Sequence, residues 1–436
     1  MTKTPIKRDA DFLPLEELKK VQQQRWHIQA DYVKAHSSFY KQHLRNEELP
    51  QSLNRLERLP FTTKEHLRHD QQKHHPFGSY LAAEEKNIVR MHRTSGTSGT
   101  AMNLALTATD AKITAIVGGR AQRASGLTDK HRVVHCLNYK LWMGGFTDHT
   151  TLEETGAMVF PYGVGGTEGL IQLIRDMNIN AISCTPSYPA VLEQVIETSF
   201  SGLRPDQLGL KLGLFGGELG LDDPAFKQRL ENTWGFQARN SNYGVTDVLC
   251  NFAGQTTRDN DLHFMAMDVL YPELIDPETG DNKLWKEGET GELVLTHLYK
   301  QAQPLIRFRT NDIIQLTGVD TASCGRTTPR FKVIGRSDDM IVVRGINVFP
   351  TMLASVINQN KGCSGEYRIT LDQPPPYNLL NIEIERSKKG SLKDSLKEEL
   401  EQTIKDTIGI RTIVKLLGYN SLPRTEGKTK RVIRNF

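Results

Sequence analysis

The sequence predicts an α/β protein: a large N-terminal part of several subdomains, with mainly parallel sheets and a β-rich subdomain, followed by a small α+β C-terminal domain. Three observations carry this. At 436 residues the chain is longer than one ordinary hydrophobic core organises. From about Ile88 to Phe215, short apolar runs alternate with helical patterns, the βαβα rhythm of parallel strands covered by helices. Beyond Asp247 the pattern changes to short strands split by turns.

Up to about Gln72 the chain reads as helices with polar connections, and Leu15 to Lys34 is an amphipathic surface helix. Asn87 to Met91 reads as a strand, and Ala108 to Arg123 as a helix. Val133 to Leu137 and Ala157 to Phe160 are strands, the second closed by Pro161. Gly169 to Asn178 is helical, Ala181 to Cys184 a strand, Pro189 to Ser199 a helix, and Leu210 to Phe215 a strand running into Gly216-Gly217-Glu218. Gly291 to Thr296, Leu305 to Arg309 and Ile313 to Leu316 form the β-rich part. A boundary falls near Asp338, giving domains 1–337 and 338–436. The second contains Ile341 to Val343, Leu380 to Ile384 and a charged helix from Lys388 to Ile408.

Composition excludes several classes. Hydrophobic residues at 38% and charged residues at 24% are those of a globular protein. A net charge of +4 on this length gives no argument for nucleic acid or a membrane surface. No apolar run reaches the roughly 18 residues that span a bilayer, and Met1 to Asp11 does not read as a secretory signal. Five scattered cysteines without a Cys-x-x-Cys pair fit a reducing cytoplasmic compartment.

The chemistry-bearing stretches lie at strand ends. Arg93-Thr94-Ser95-Gly96-Thr97-Ser98-Gly99-Thr100 offers backbone N–H groups and hydroxyls to a phosphate; alone, it is equally a Ser/Thr/Gly linker. Asn242-Tyr243-Gly244-Val245-Thr246-Asp247 combines an aromatic face, a hydroxyl and a carboxylate suited to Mg²⁺; alone, it is also a strand end with a tight turn. Asp312, in Arg307 to Ile313, is suited to accept from both ribose hydroxyls, and the same stretch reads as a surface ion-pair turn. Gly335 to Met340 and Arg344 to Asn347 put charges and a glycine at the inferred boundary, or form a solvated linker. Leu422 to Arg431 is a basic loop or tail.

Together and in this order these segments resemble the adenylate-forming superfamily of acyl-CoA ligases, adenylation domains and luciferases, and within it the phenylacetate-CoA ligase branch. Ala35 to Tyr40, Leu59 to Lys64, Cys184 to Tyr188 and Gly345 to Pro350 support the likeness, which runs over nearly the whole chain. The resemblance implies an N-terminal adenylation domain and a mobile C-terminal domain. It also implies ATP-dependent activation of a small carboxylic acid, aryl by preference, to acyl-AMP with release of pyrophosphate, then transfer to coenzyme A. Ser95, Gly96, Thr97, Ser98, Gly99 and Thr100 would grip the phosphates. Gly217, Glu218, Asn242, Tyr243 and Thr246 would line the adenine and α-phosphate, with Asp247 on Mg²⁺. Asp312 would hold the ribose, with Arg336 nearby. Asp338 would be the hinge, and Lys428 the lysine delivered for adenylation, with Thr246 and Asp247 completing the catalytic set. A thiol channel would open near Gly345, and a homodimer follows by analogy.

Two departures stand out. Thr100 occupies the position of a usual lysine, with Arg93 as a candidate replacement charge, and Asp247 replaces a glutamate. They motivate two other readings: an adenylating enzyme whose acceptor is an amine, a carrier-protein thiol or a hydroxyl, and a nucleotide-binding sensor without catalysis. For the acyl pocket, Tyr139, Trp142, Phe146, Phe215 and Gly216 lie at or beside expected strand ends; such residues are more often core. Cys250, His263 and Cys324 invite a zinc reading near Cys324-Gly325-Arg326. Only three candidate ligands are present where a structural zinc wants four, so buried thiols and a surface histidine are the simpler reading.

Overall fold

The computed structural model describes residues 6–45, 47–94, 101–218, 220–388, 395–424 and 429–436. The expectations resting on Ser95, Gly96, Thr97, Ser98, Gly99, Thr100 and Lys428 lie outside the described residues. The N-terminal helices are α1 (Leu15–His36), α2 (Ser38–His43) and α3 (Lys64–Lys73). The hairpin β1 (Ile88–Arg93) and β2 (Asn103–Thr107) leads into α4 (Ala108–Ala124). Next come β3 (Arg132–His135), α5 (Met143–Glu153), β4 (Met158–Pro161), α6 (Thr167–Asp176), β5 (Ala181–Cys184), α7 (Tyr188–Ser199), β6 (Leu212–Gly216), α8 (Pro224–Trp234) and β7 (Gln237–Val245). An all-β stretch then adds β8 (Leu249–Gly254), β9 (Leu262–Phe264), β10 (Leu270–Ile275), β11 (Thr290–His297), β12 (Phe308–Gly318) and β13 (Arg330–Arg336).

Local chemistry explains the boundaries. Thr107 and Asp110 exchange side-chain to backbone bonds in a capping box that starts α4, and Asp223 accepts from Ala225 and Phe226 N–H at the start of α8, with Pro224 in its first turn. In α6, Leu170, Ile171 and Ile174 form the buried stripe.

The expected βαβα region and β-rich region are two halves of one 11-stranded sheet ordered β10-β11-β12-β13-β9-β8-β7-β6-β5-β3-β4. β4, β3, β5, β6 and β7 pair in parallel, whereas β7 pairs antiparallel with β8 and the strands beyond continue antiparallel. β7 is therefore the seam. It is reached by a crossover helix on one side and left by a tight turn on the other. Leu305 to Arg309 and Ile313 to Leu316, expected as separate strands, differ from this. β12 runs unbroken from Phe308, with Asn311 at φ +62° and register shifts in its ladders absorbing the polar stretch between them.

After β13 come the hairpin β14 (Ile341–Val343) and β15 (Ile346–Val348), α9 (Pro350–Gln359), β16 (Cys363–Leu371), β17 (Leu380–Arg386), α10 (Leu396–Ile408), β18 (Thr412–Leu417) and β19 (Val432–Arg434). A separate sheet ordered β18-β17-β16-β19 packs with α9 and α10 around its own apolar cluster, whose buried members run from Ile341 to Val432. Among the described residues, no helix is long and apolar enough to cross a membrane.

Candidate active site

β6 and β7 end side by side. A Cβ on Gly216 would lie 2.5 Å from the Asn242 carbonyl oxygen, so only glycine lets the two backbones approach, and Gly217 follows at φ +80°. Gly244 is equally constrained: a Cβ there would meet the Cys250 carbonyl oxygen at 2.0 Å. Strand ends at such a seam are where ligands of α/β sheets sit.

From β7, the Tyr243 ring lies edge-on to Phe252 and Phe331 at 5.2 and 5.4 Å. Its hydroxyl donates to Asp312 Oδ2 at 2.7 Å, and Arg336 Nη1 donates to Asp312 Oδ1 at 2.8 Å. Arg336 also makes a fork with Asp338, Nε to Oδ1 at 2.9 Å and Nη2 to Oδ2 at 3.0 Å. Burial lowers the guanidinium pKa, but Asp312 and Asp338 outweigh it and leave the pKa raised. Burial, then the Asp312 charge, holds Tyr243 well above the usual phenol range. Asp338 lies exposed in the turn between β13 and β14.

Thr246 and Asp247 form the turn after β7. Asp247 is buried; Oδ2 accepts from Lys64 Nζ at 3.0 Å, while Oδ1 has no hydrogen-bond partner among the described residues. Lys64 opens α3, which brings it from almost two hundred residues away; sequence marks it only as the end of Leu59 to Lys64, one of the stretches that carry the family likeness. The phosphate loop is reached through its flanks. Arg93 ends β1, exposed, its N–H on the Leu141 carbonyl at 2.7 Å, and Thr94 pairs with Met102 through backbone and hydroxyl at 3.0 and 2.9 Å.

Glu218 joins three segments. Its carboxylate accepts from Ser187 N–H at 3.2 Å and from the N–H of Thr429, the residue after Lys428. The C-terminal loop is thus brought to the end of β6. Arg229 to the Ser364 carbonyl, and Asn358 Nδ2 to Asp223 Oδ2 at 3.3 Å, add contacts between α8 and the C-terminal sheet and helix.

At the expected acyl end, Tyr139 Oη and His149 Nδ1 are 2.9 Å apart, and Tyr139 meets His135 edge-on at 5.6 Å. Trp142 is the half-buried cap of α5, its ring against Gly144. Phe146 belongs to α5 and not to a strand end; it stacks on His149 at 6.1 Å beneath the Arg90 guanidinium at 4.4 Å. Phe215 corrects its expectation. Its ring is buried in the cluster of Trp234 and Phe236, 5.8 Å from the latter, because alternation along β6 turns it into the helix-covered core. Gly216 stays at the strand end.

The three-residue zinc set is not assembled. Cys250 packs with Leu104, Leu106 and Met143, whereas His263 and Cys324 come together with Asp259, their ligand atoms within 4.8 Å of one another. His263 is buried, not at the surface, and its Nε2 lies 2.9 and 3.1 Å from the two Asp259 oxygens, within hydrogen-bond reach of that carboxylate.

Sequence reading also missed Asp148. It is buried on α5, with Oδ2 accepting from Asn242 Nδ2 at 2.5 Å. Burial pushes its carboxyl up to about 7, against the lowering effect of bonds from Cys250 and Asn242.

An aromatic-backed acidic cradle at the sheet seam, a glycine turn at the neighbouring strand end and a C-terminal loop docked on that turn define an adenylate-forming enzyme. A family model described as AMP-binding enzyme C-terminal domain matches residues 345–435. The chain is 33% identical over 390 residues to the phenylacetate-coenzyme A ligase of Aromatoleum evansii, covering 88% of this chain and 85% of that one. It is 34% identical over 383 residues to that of Pseudomonas putida, covering 86% and 84%. The chain belongs to the phenylacetate-coenzyme A ligase family and is an AMP-forming acid–thiol ligase. Among solved structures, 2-hydroxyisobutyryl-CoA ligase in the postadenylation state with 2-HIB-AMP gives a TM-score of 0.90 at 27% identity, covering 100% of this chain and 94% of that one. The same ligase in the thioesterification state with 2-HIB-AMP and CoA gives 0.71 at 28% identity over the same shares. The arrangement of this chain is therefore nearer the postadenylation one.

Proposed function

We propose that this chain activates a small carboxylic acid, aryl by preference, with ATP and passes the acyl group to coenzyme A. A carboxylate oxygen attacks the α-phosphorus, pyrophosphate leaves, and the acyl-AMP carbonyl becomes electrophilic. The coenzyme A thiol, losing its proton, then attacks that carbon and AMP leaves with the bonding pair. The observation that carries this reading is the contact between Glu218 and Thr429, which brings the neighbour of Lys428 to the strand end where Asn242, Tyr243 and Asp312 converge.

Asp312 and Arg336 hold the ribose side, Gly217 and Glu218 the adenine and α-phosphate side, and Ser95 to Thr100 with Arg93 the pyrophosphate. Asp247 fits Mg²⁺: it keeps a buried carboxylate oxygen without a protein partner among the described residues, and Mg²⁺ takes one or two carboxylates alongside phosphate and water oxygens. When bound, the ion supplies neutralisation of the phosphate charge. Lys428 is the cation proposed to meet the charge developing on the α-phosphate. Domains 1–337 and 338–436 turn about Asp338, which breaks the contacts of Thr429, Ser364 and Asn358 with the large domain, withdraws Lys428 and opens a thiol path near Gly345. The homodimer carried over from the resemblance belongs to the same reading.

The test is acid-dependent exchange of labelled pyrophosphate into ATP, followed by loss of free coenzyme A thiol. The expected result is exchange with at least one acid and thiol loss with the same acid. Lys428→Ala is expected to lower exchange about 10³-fold while sparing thioester formation from supplied acyl-adenylate. Equal loss of both half-reactions would remove Lys428 from its adenylation role, and exchange with no acid would remove the ligase reading.

A further inference from the structure

Asp148 is a buried acidic side chain with one oxygen left unpaired among the described residues. It is 3% exposed, Oδ2 is taken by Asn242, and Oδ1 has no hydrogen-bond partner among the described residues. A buried carboxylate oxygen left unpaired costs more than one lost bond, because water has been removed and nothing replaces it. The neighbouring groups do not replace it. His92 and Arg90 turn to the Thr147 hydroxyl, at 2.6 and 3.3 Å. His149 is engaged by Tyr139 and by Glu153 at 3.1 Å. The Cys250 thiol lies beside the Asp148 carboxylate, yet Oδ1 stays without a partner among the described residues.

The position of this group says what could reach the unpaired oxygen. Asn242, its partner, directly precedes Tyr243, whose hydroxyl sits on Asp312. Asp148 is thus one side chain from the strand end that carries AMP in the proposed ligase reaction. Its own helix and the segment before it carry the Tyr139, Phe146 and His149 rings. In its ionised form Asp148 can only accept hydrogen bonds, and a donor placed on Oδ1 favours that form. We propose that the acid activated by this enzyme bears a hydroxyl or amino group beside its carboxylate-bearing frame, and that Asp148 Oδ1 accepts a hydrogen bond from it. This rests on the ligase reading and narrows it to donor-bearing acids. A substrate without the donor leaves Oδ1 dry and unpaired, so the site discriminates against it.

The experiment measures kcat/KM for pyrophosphate exchange with matched acids differing only in the donor: benzoate against 2-hydroxybenzoate and 2-aminobenzoate, and isobutyrate against 2-hydroxyisobutyrate. In the best-used pair the donor-bearing acid is expected to lead by about 10- to 150-fold, the range for a hydrogen bond to a charged group. The hydroxyl and amino arms identify the donor. In Asp148→Ala the ratio is expected to collapse to within about threefold of one, whereas a purely structural role would lower both members of a pair together and leave the ratio alone. Asp148→Asn, of the same size, guards against loss of folding and is expected to shrink the ratio too. Equal use of both members by the unaltered enzyme, or an unchanged ratio in both variants, overturns the proposal while leaving the ligase reading standing. Exchange with no acid at all removes both.

Discussion

Where the start of β12 meets the end of β13, Arg309, Asp312, Arg336 and Asp338 each meet a side chain of opposite charge. Asp312 holds Tyr243 and Arg336, Arg336 holds Asp338, and Arg309 is forked onto the buried Glu292 at 3.1 Å through Nε. Along α5, by contrast, Asp148 has only neutral donors and an oxygen left over among the described residues. In the proposed reaction this first region holds the nucleotide, whose groups stay the same for any acid, so its charges are balanced before substrate arrives. The α5 region, proposed for the acyl group, must select, and an unpaired acceptor is how a site makes the wrong substrate costly.

Three changes break or sharpen that contrast. The largest effect is expected from Asp312→Ala, which leaves Arg336 and the Tyr243 hydroxyl without their shared acceptor. kcat/KM for ATP in the exchange assay should fall about 10²-fold, in line with loss of a buried charged partner, and a fall of less than threefold would mean the cradle is not the ribose site.

Next is a pH effect from Asp148→Asn. The folded carboxyl titrates at about 7 against an ordinary aspartate value of 3.8, so the native state binds the proton more tightly than the unfolded chain. The contribution of Asp148 to stability is therefore full below about pH 4 and is lost as pH rises through about 7. Asparagine does not titrate. Urea unfolding of the two proteins should show the variant gaining on the unaltered enzyme by on the order of 2 kcal/mol between pH 5 and pH 8. The groups bonded to this carboxyl are Asn242 on β7 and Cys250 on β8. Asn242 does not ionise, and burial followed by the Asp148 charge holds the Cys250 thiol well above this window, so neither supplies a competing slope. A parallel pair of stability curves would show that Asp148 is ionised throughout.

The smallest effect belongs to Arg93→Ala. Arg93 is exposed at the end of β1, and a surface charge near a phosphate is screened. The Michaelis constant for ATP should rise about two- to fivefold at low salt, the range of one screened ion pair of up to about 1 kcal/mol. An unchanged value would leave Lys64, already beside Asp247, as the positive charge on that side.

Much of the proposed nucleotide side carries local signals in the sequence. Tyr243, Asp312, Arg336 and the Gly216-Gly217-Glu218 turn each sit beside glycines or in polar strand ends, features that local sequence displays. The α5 region was not legible. Its buried positions are mostly Gly144, Gly145, Thr147, Asp148, His149 and Thr151, so a search for apolar periodicity finds no stripe there. Phe215 failed for the opposite reason. An aromatic residue at a strand end looks the same in sequence whether its ring faces a cleft or the helices behind the sheet.

By itself, the sequence determined the alternation of strands and helices from β3 to β6 apart from α5, the glycine turns at β6 and β7, and a change of character near Asp338, because apolar spacing and backbone sterics act over a few residues. Tertiary structure alone decided that β8 to β13 extend the parallel strands as one sheet, that Lys64 meets Asp247, that Thr429 docks on Glu218, and that Asp148 is buried with one oxygen unpaired among the described residues. Those are matters of what lies across space from each group, and burial and pairing between distant segments leave no mark on either segment read alone.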